Sequence, residues 1–136
     1  GFENIIVENI ALSDTEGEAS FFISGSGNSV IEGLSEASIG PDAREIRVPV
    51  MRGDTLAKKY PPNVIKIDVE GFEVEVLQGL EKTLQNRELH TVAIEVHFVT
   101  LTKRGNAEGP AILRKLLQKN NFIIRWTDPS HVIATR

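Results

Sequence analysis

Cysteine is absent from the 136 residues, and methionine, tryptophan and tyrosine occur once each. Without cysteine there is no disulfide framework, no thiolate zinc site and no cysteine nucleophile. That lack fits an intracellular protein, and a cytoplasmic one is expected. Basic residues are outnumbered, 15 against 19 acidic, for a net charge of −4. No run of lysine and arginine stands out, which argues against a nucleic-acid phosphate footprint. No apolar stretch approaches the roughly 20 residues that cross a bilayer, and no secretory leader is visible. Internal repeats and low-complexity tracts are also missing. What is there is 40% hydrophobic and 25% charged, a globular composition at the length of one domain. Such a chain buries roughly two-thirds of its unfolded surface, enough for a real core. The first residue is Gly1 rather than Met, which fits a start inside a longer polypeptide or a residue left by a tag.

The most informative stretch runs from Asn63 to Leu80 and changes period midway. Val64 to Val69 is a short β-branched apolar run, expected to be a strand buried on both faces. Beyond Gly71, Val74, Leu77, Leu80 and Leu84 recur at helical spacing, with Val76 beside them, and predict a helix to about Gln85 ended by Asn86. Asp68 and Glu70 stand at the switch, at the carboxyl end of the strand. Open α/β sheets bind ligands in the crevice outside such ends. The plainer alternative is that Glu70 caps the helix and Asp68 satisfies a loop amide.

Thr91 to Phe98 reads as a second buried strand, so strand, helix and strand make a βαβ unit with parallel pairing and a right-handed crossover. Glu95 and His97 lie two residues apart on one face of that strand. They are expected beside Asp68 and Glu70, so that four ionisable groups converge on one rim. Pairing of Glu95 with Lys66 or Arg104, and a hydrogen-bonded loop role for His97, are the structural alternatives.

Elsewhere, Asn4 to Leu12 and Ala19 to Ser24 read as two strands of a hairpin joined by Ser13 to Gly17. Gly25-Ser26-Gly27-Asn28-Ser29 half-matches a dinucleotide glycine loop, but Val30 stands where the third glycine belongs, so a flexible loop is read, with a weakly ordered segment to Asp42. Glu45 to Met51 alternates as a half-exposed strand that Pro49 places at an edge or bulge. Arg52-Gly53-Asp54 spells an adhesion tripeptide too short to carry meaning. Asp54 or Thr55 is expected to cap a helix over Leu56 to Tyr60, ended by Pro61-Pro62. Val99 to Gly109 reads as a polar loop. Pro110 opens a helix that buries Leu113, Leu116 and Leu117 and stops at Asn120-Asn121. Phe122 to Trp126 and His131 to Thr135 form a terminal antiparallel hairpin, with His131 on the surface.

The motifs sharpen this pattern. Lys66-Ile67-Asp68-Val69-Glu70-Gly71 with Glu73 and Val76-Leu77-x-Gly79 closely resembles the hallmark of the FkbM family of S-adenosylmethionine-dependent methyltransferases. Asn9-x-Ala11-Leu12-Ser13-Asp14 before Gly17, Val48-Pro49-Val50 before Gly53-Asp54-x-Leu56, and Glu95-Val96-His97 resemble the same family, in its order and at its spacing. The resemblance implies a Rossmann-like class I α/β fold with parallel strands and a C-terminal antiparallel hairpin. It implies methyl transfer to a hydroxyl of a sugar, glycolipid or polyketide-like acceptor. Ala11, Leu12 and Ser13 would lie at the adenine end of the cofactor, and Asp68, Glu70 and Gly71 at the rim where donor and acceptor meet. Glu95, Glu73 and His97 would face the acceptor, with His97 as base and Asp68 or Glu70 orienting. The family's opening strand and Asp-x-Gly-Ala-Asn-x-Gly loop are not matched. Residues 1–136 are therefore expected to be the C-terminal portion of such a domain, incomplete at the N-terminus and inactive alone, with an open sheet edge through which it can self-associate. A divalent metal on Asp68, Glu70, Glu95 and His97 is the less favoured reading. A non-catalytic binding or oligomerisation module is the third.

Overall fold

A computed structural model describes residues 3–23, 29–31 and 44–136. The described residues form a mixed α/β structure with two four-stranded sheets. The first holds β1 (Ala11–Ser13), β2 (Gly17–Ile23), β3 (Ser29–Ile31) and β4 (Arg44–Arg52) in the order β1-β4-β2-β3. β4 leads into α1 (Gly53–Lys59). The second holds β5 (Val64–Ile67), β6 (Thr91–Glu95), β7 (Ile123–Trp126) and β8 (His131–Thr135) in the order β5-β6-β8-β7. Around it lie α2 (Glu73–Gly79), a 3-10 turn (Thr83–Gln85), α3 (Phe98–Lys103) and α4 (Gly109–Lys119).

The βαβ unit forms as its sequence dictates. β5 and β6 pair in parallel, Val64 opposite Thr91 through Ile67 opposite Ile94. Val74, Leu77, Leu80 and Leu84 are all buried against them, so the helical stripe faces the core. The helix does not run unbroken to Gln85, however. It ends at Gly79, where a Cβ would stand 2.0 Å from the carbonyl oxygen of Ser13, so only glycine admits the close approach of β1. The chain then turns and restarts at Thr83. Asp54 governs that restart: its carboxylate accepts from Thr83 N and Thr83 Oγ1 at 2.8 Å each and from Lys82 N at 3.1 Å. Neither Asp54 nor Thr55 caps α1. That helix starts at Gly53 behind Arg52, with no side-chain cap.

Several other expectations are corrected by pairings that are long in sequence. β1 is only three residues long, and Ile5, Ile6 and Val7 are exposed. It pairs in parallel with β4, not in a hairpin with β2. β2 instead finds a seven-residue antiparallel partner in β4, from Gly17 opposite Val50 to Ile23 opposite Arg44. β4 is thus an inner strand. Pro49 is tolerated because β1 begins only opposite Val50, which leaves that stretch of β4 paired on one side. Within the segment read as weakly ordered, Ser29–Ile31 forms β3 on β2, whereas residues 24–28 and 32–43 lie outside the described residues. The polar loop after β6 contains α3, anchored by the fully buried Leu101. α4 and the β7–β8 hairpin form as expected, with Pro110 in the first turn and Asn121 at φ 64 beyond the stop.

β5 is an edge strand rather than one buried on both faces. Among the described residues its one strand partner is β6, and Val64 is 56% exposed. Between this edge and β1 and β4 lies a cleft of about 680 Å3, walled by Ile10, Ala11, Leu12, Ile46 and Val48 on one side and Val64 to Glu70 on the other.

Candidate active site at the carboxyl ends of β5 and β6

Parallel pairing puts the ends of β5 and β6 side by side, and their terminal residues meet. His97 Nε2 lies 3.3 Å from Glu70 Oε2, 3.9 Å from Glu95 Oε1 and 4.0 Å from Asp68 Oδ1. The rim read from the sequence is therefore one cluster in space. His97 is mostly buried, whereas Glu70 stands out into solvent.

The imidazole is held from behind. Its Nδ1 lies 2.7 Å from Oε1 of Glu73, which also accepts from Gly71 N at 2.8 Å. Glu73 is fully buried, and among the described residues its Oε2 has no hydrogen-bond partner. A buried carboxylate without water needs a cationic or donating neighbour, and His97 is that neighbour. Since the carboxylate only accepts, Nδ1 carries the proton and Nε2 of the neutral ring is free to accept one. Glu73 consequently does not face an acceptor, as the sequence reading had it; it orients His97 from the core. Burial works against the imidazolium, but the Glu73 hydrogen bond and the charges of Glu70, Glu73 and Glu95 outweigh it, and the His97 pKa is raised.

The turn that presents Glu70 is strained. Glu70 has φ 50 and Gly71 φ 98. A Cβ on Gly71 would stand 2.5 Å from Thr100 Cγ2, so α3 closes over this glycine and keeps it out of the cleft. Arg104, just past α3, donates to the Gly71 carbonyl, pairs with Glu75 at 2.7 Å and lies over the Phe72 ring at 3.4 Å. Arg104 therefore belongs to Glu75 rather than to Glu95. A left-handed glutamate persists only where its surroundings impose it. We expect Glu70→Gly to be about 1 kcal/mol more stable than Glu70→Ala in urea unfolding, since both lack the carboxylate and only glycine fits the backbone. Equal midpoints would contradict the strain.

Lys66 donates to Asp68 at 2.8 Å, and this contact chiefly lowers the Asp68 pKa. His131, read as a plain surface residue, joins the rim. It sits opposite Glu95 in the β6–β8 register, with Nε2 3.3 Å from Glu95 Oε2 and Nδ1 2.9 Å from Asp128. The Asp128 hydrogen bond, against some desolvation, raises the His131 pKa. Asp128 itself is held far below the carboxylate range, first by the Ser130 backbone amide and then by His131. Only the strand register brings His131 here, and local sequence does not carry that signal. Asp68, Glu70 and His97 also bring one ligand atom each within 4.8 Å of one another, a spacing that can hold a metal ion. Among the residues assigned to the cofactor, Ala11, Leu12 and Asp68 line the large cleft, and Ser13 lines a smaller adjoining one with Ala11 and Leu12.

This geometry coincides with a family match. The model of the methyltransferase FkbM domain matches residues 2–124. The chain belongs to the FkbM methyltransferase domain family. Over 53 residues the FkbM chain is 42% identical to the hexuronic acid methyltransferase AglP of Haloferax volcanii, a stretch covering 37% of this chain and 21% of that protein. The match thus spans about a fifth of the relative's length. No solved structure is significantly similar to the chain. Among the described residues, no helix is long and apolar enough to cross a membrane.

Proposed function

We propose that this chain carries the acceptor side of an S-adenosylmethionine-dependent O-methyltransferase acting on a hydroxyl of a sugar, glycolipid or polyketide-like acceptor, within a Rossmann-like class I domain. The observation that carries the reading is His97, with Nδ1 fixed by a buried glutamate and Nε2 open toward Asp68, Glu70 and Glu95. The cleft fits the cofactor in chemistry: its lining is mainly apolar near Ala11 and Leu12 and carries Asp68 and Glu70 at its rim, carboxylates that would favour a cationic group. When bound, S-adenosylmethionine supplies a methyl group on a positively charged sulfur. His97 Nε2 accepts the proton of the acceptor hydroxyl as its oxygen attacks, Glu73 holds the resulting imidazolium, and Glu70 and Glu95 orient the hydroxyl. Incubating methyl-labelled S-adenosylmethionine and hydroxyl acceptors with these residues joined to an FkbM cofactor-loop segment tests this, and label that never appears on an acceptor oxygen sinks it.

The reading of residues 1–136 as the C-terminal portion of the catalytic domain is supported by the one-sided pairing of β5 beside the cleft. On this reading the chain alone binds S-adenosylmethionine weakly, and the bare edge drives self-association. Light scattering is expected to show a mass that rises with concentration; a strict monomer with strongly protected Val64 to Ile67 amides speaks against it.

A divalent metal is the competing reading, favoured by the trio Asp68, Glu70 and His97. Lys66 already neutralises Asp68, which weakens that site. We expect no rise in Tm with Mg2+ or Mn2+, and a clear rise would transfer the chemistry to the ion.

A further inference from the structure

Glu95 lies between two imidazoles. Its Oε1 is 3.9 Å from His97 Nε2, and its Oε2 is 3.3 Å from His131 Nε2. Glu95 and His131 are register partners on β6 and β8, so their side chains leave the same face of the sheet. His131 is itself fixed from behind. Its Nδ1 lies 2.9 Å from Asp128 Oδ1, which also accepts from the Ser130 and His131 amides at 2.9 Å each and from Ser130 Oγ at 3.1 Å. The same turn is tied to the end of β6, where Val96 N donates to the Ser130 carbonyl at 2.8 Å. Carboxylates only accept, so the His131 ring donates toward Asp128 on one side and toward Glu95 on the other. A lone ion pair at the surface holds little in place. This ring is anchored at its second nitrogen, on a turn closed by its own hydrogen bonds.

We infer that His131 is a positioning residue for methyl transfer, bracing the Glu95 carboxylate at a hydroxyl's distance from His97. The inference rests on the methyl-transfer reading and adds a residue to its site. At 3.9 Å, Glu95 Oε1 and His97 Nε2 are too far apart to bond each other, and the space beside Nε2 stays open to the acceptor hydroxyl. Released from His131, the carboxylate is drawn to one side only. It closes on His97 when that ring takes up a proton and fills the place of the hydroxyl. Lys66 does not hold it back, because its ammonium is bonded to Asp68 at 2.8 Å. Glu70 is nearer to Nε2, at 3.3 Å, but its side chain is 70% exposed and can turn into water.

Two near-isosteres separate this brace from mere support of the turn. The amide nitrogen of Gln falls near the place of Nε2, and that of Asn near the place of Nδ1. His131→Gln therefore keeps a donor toward Glu95 and gives up Asp128, and His131→Asn does the reverse. In residues 1–136 joined to an FkbM cofactor-loop segment, His131→Asn is expected to lower kcat about tenfold and His131→Gln no more than about threefold. In a Glu95→Gln background, His131→Asn is expected to cost nothing further. The 136-residue chain gives a readout that needs no turnover. There His131→Asn is expected to shift the His97 ring signals in NMR spectra, His131→Gln to leave them in place, and Glu95→Gln to cancel the shift. Absence of methyl transfer in the unsubstituted protein thus strikes the reaction, while the His97 signals still decide the brace. The brace is overturned if His131→Asn matches the unsubstituted protein, if His131→Gln is at least as damaging, or if the losses from Glu95→Gln and His131→Asn multiply.

Discussion

His97→Ala is expected to lower the rate of methyl transfer by about 100- to 10,000-fold, the range over which a positioned proton acceptor acts. The measurement is kcat in an enzyme form that turns over, with KM for the acceptor little changed. The expectation follows from the division of labour around one ring. Nδ1 is committed to Glu73 at 2.7 Å, so Nε2 is the only nitrogen that can take a proton. Of the other groups at the rim, Asp68 is tied to Lys66, Glu95 lies between His97 and His131, and His131, itself held by Asp128, is far more exposed than His97. The pH profile carries a second signature. A base must be neutral to work, and the His97 pKa is raised, so activity should climb with pH through a midpoint above the ordinary histidine value of about 6.5. A variant that keeps wild-type turnover, or a limb below that value, removes His97 from the role of base.

The rim could be read in the sequence because it depends on local pattern alone. A β-branched run ending in Asp68, an amphipathic stripe after Gly71 and a second run ending in Glu95 and His97 fix a parallel βαβ unit, and that unit forces its strand ends together. Pro110 and Asn120-Asn121 marked α4 by backbone chemistry, which is also local. What stayed hidden depends on pairings distant in sequence. β1 and β4 meet across about forty residues, and nothing in Ala11–Ser13 names that partner. α3 was missed because its Phe-Val-Thr-Leu-Thr-Lys sequence, with two threonines and a valine in six residues, has weak helix preference, which burial of Leu101 overrides. Glu73 did leave a trace. It stands four residues before Leu77 and seven before Leu80, on the buried stripe of α2, where a carboxylate makes sense only with a partner in the core. A helical wheel of 73–84 would have placed it inside.

That buried carboxylate gives the sharpest stability test. Glu73→Ala leaves the Gly71 amide and His97 Nδ1 without their shared acceptor, in a site closed to water, and is expected to cost about 2–4 kcal/mol in urea unfolding. Glu73→Gln separates shape from charge. Its carbonyl oxygen can still accept from both donors, so the ring stays in place, but the counter-charge is gone and the His97 pKa should fall. The activity limb then moves to lower pH, opposite to the effect of any change that merely loosens the fold. Stability should follow the same sign. A raised histidine pKa stabilises fully below its unfolded value of about 6.5 and is lost as pH rises through the folded value. The deficit of Glu73→Gln against the wild type should therefore be largest near about pH 6 and shrink toward alkaline pH. A deficit independent of pH would mean that Glu73 fills space without holding the charge of His97.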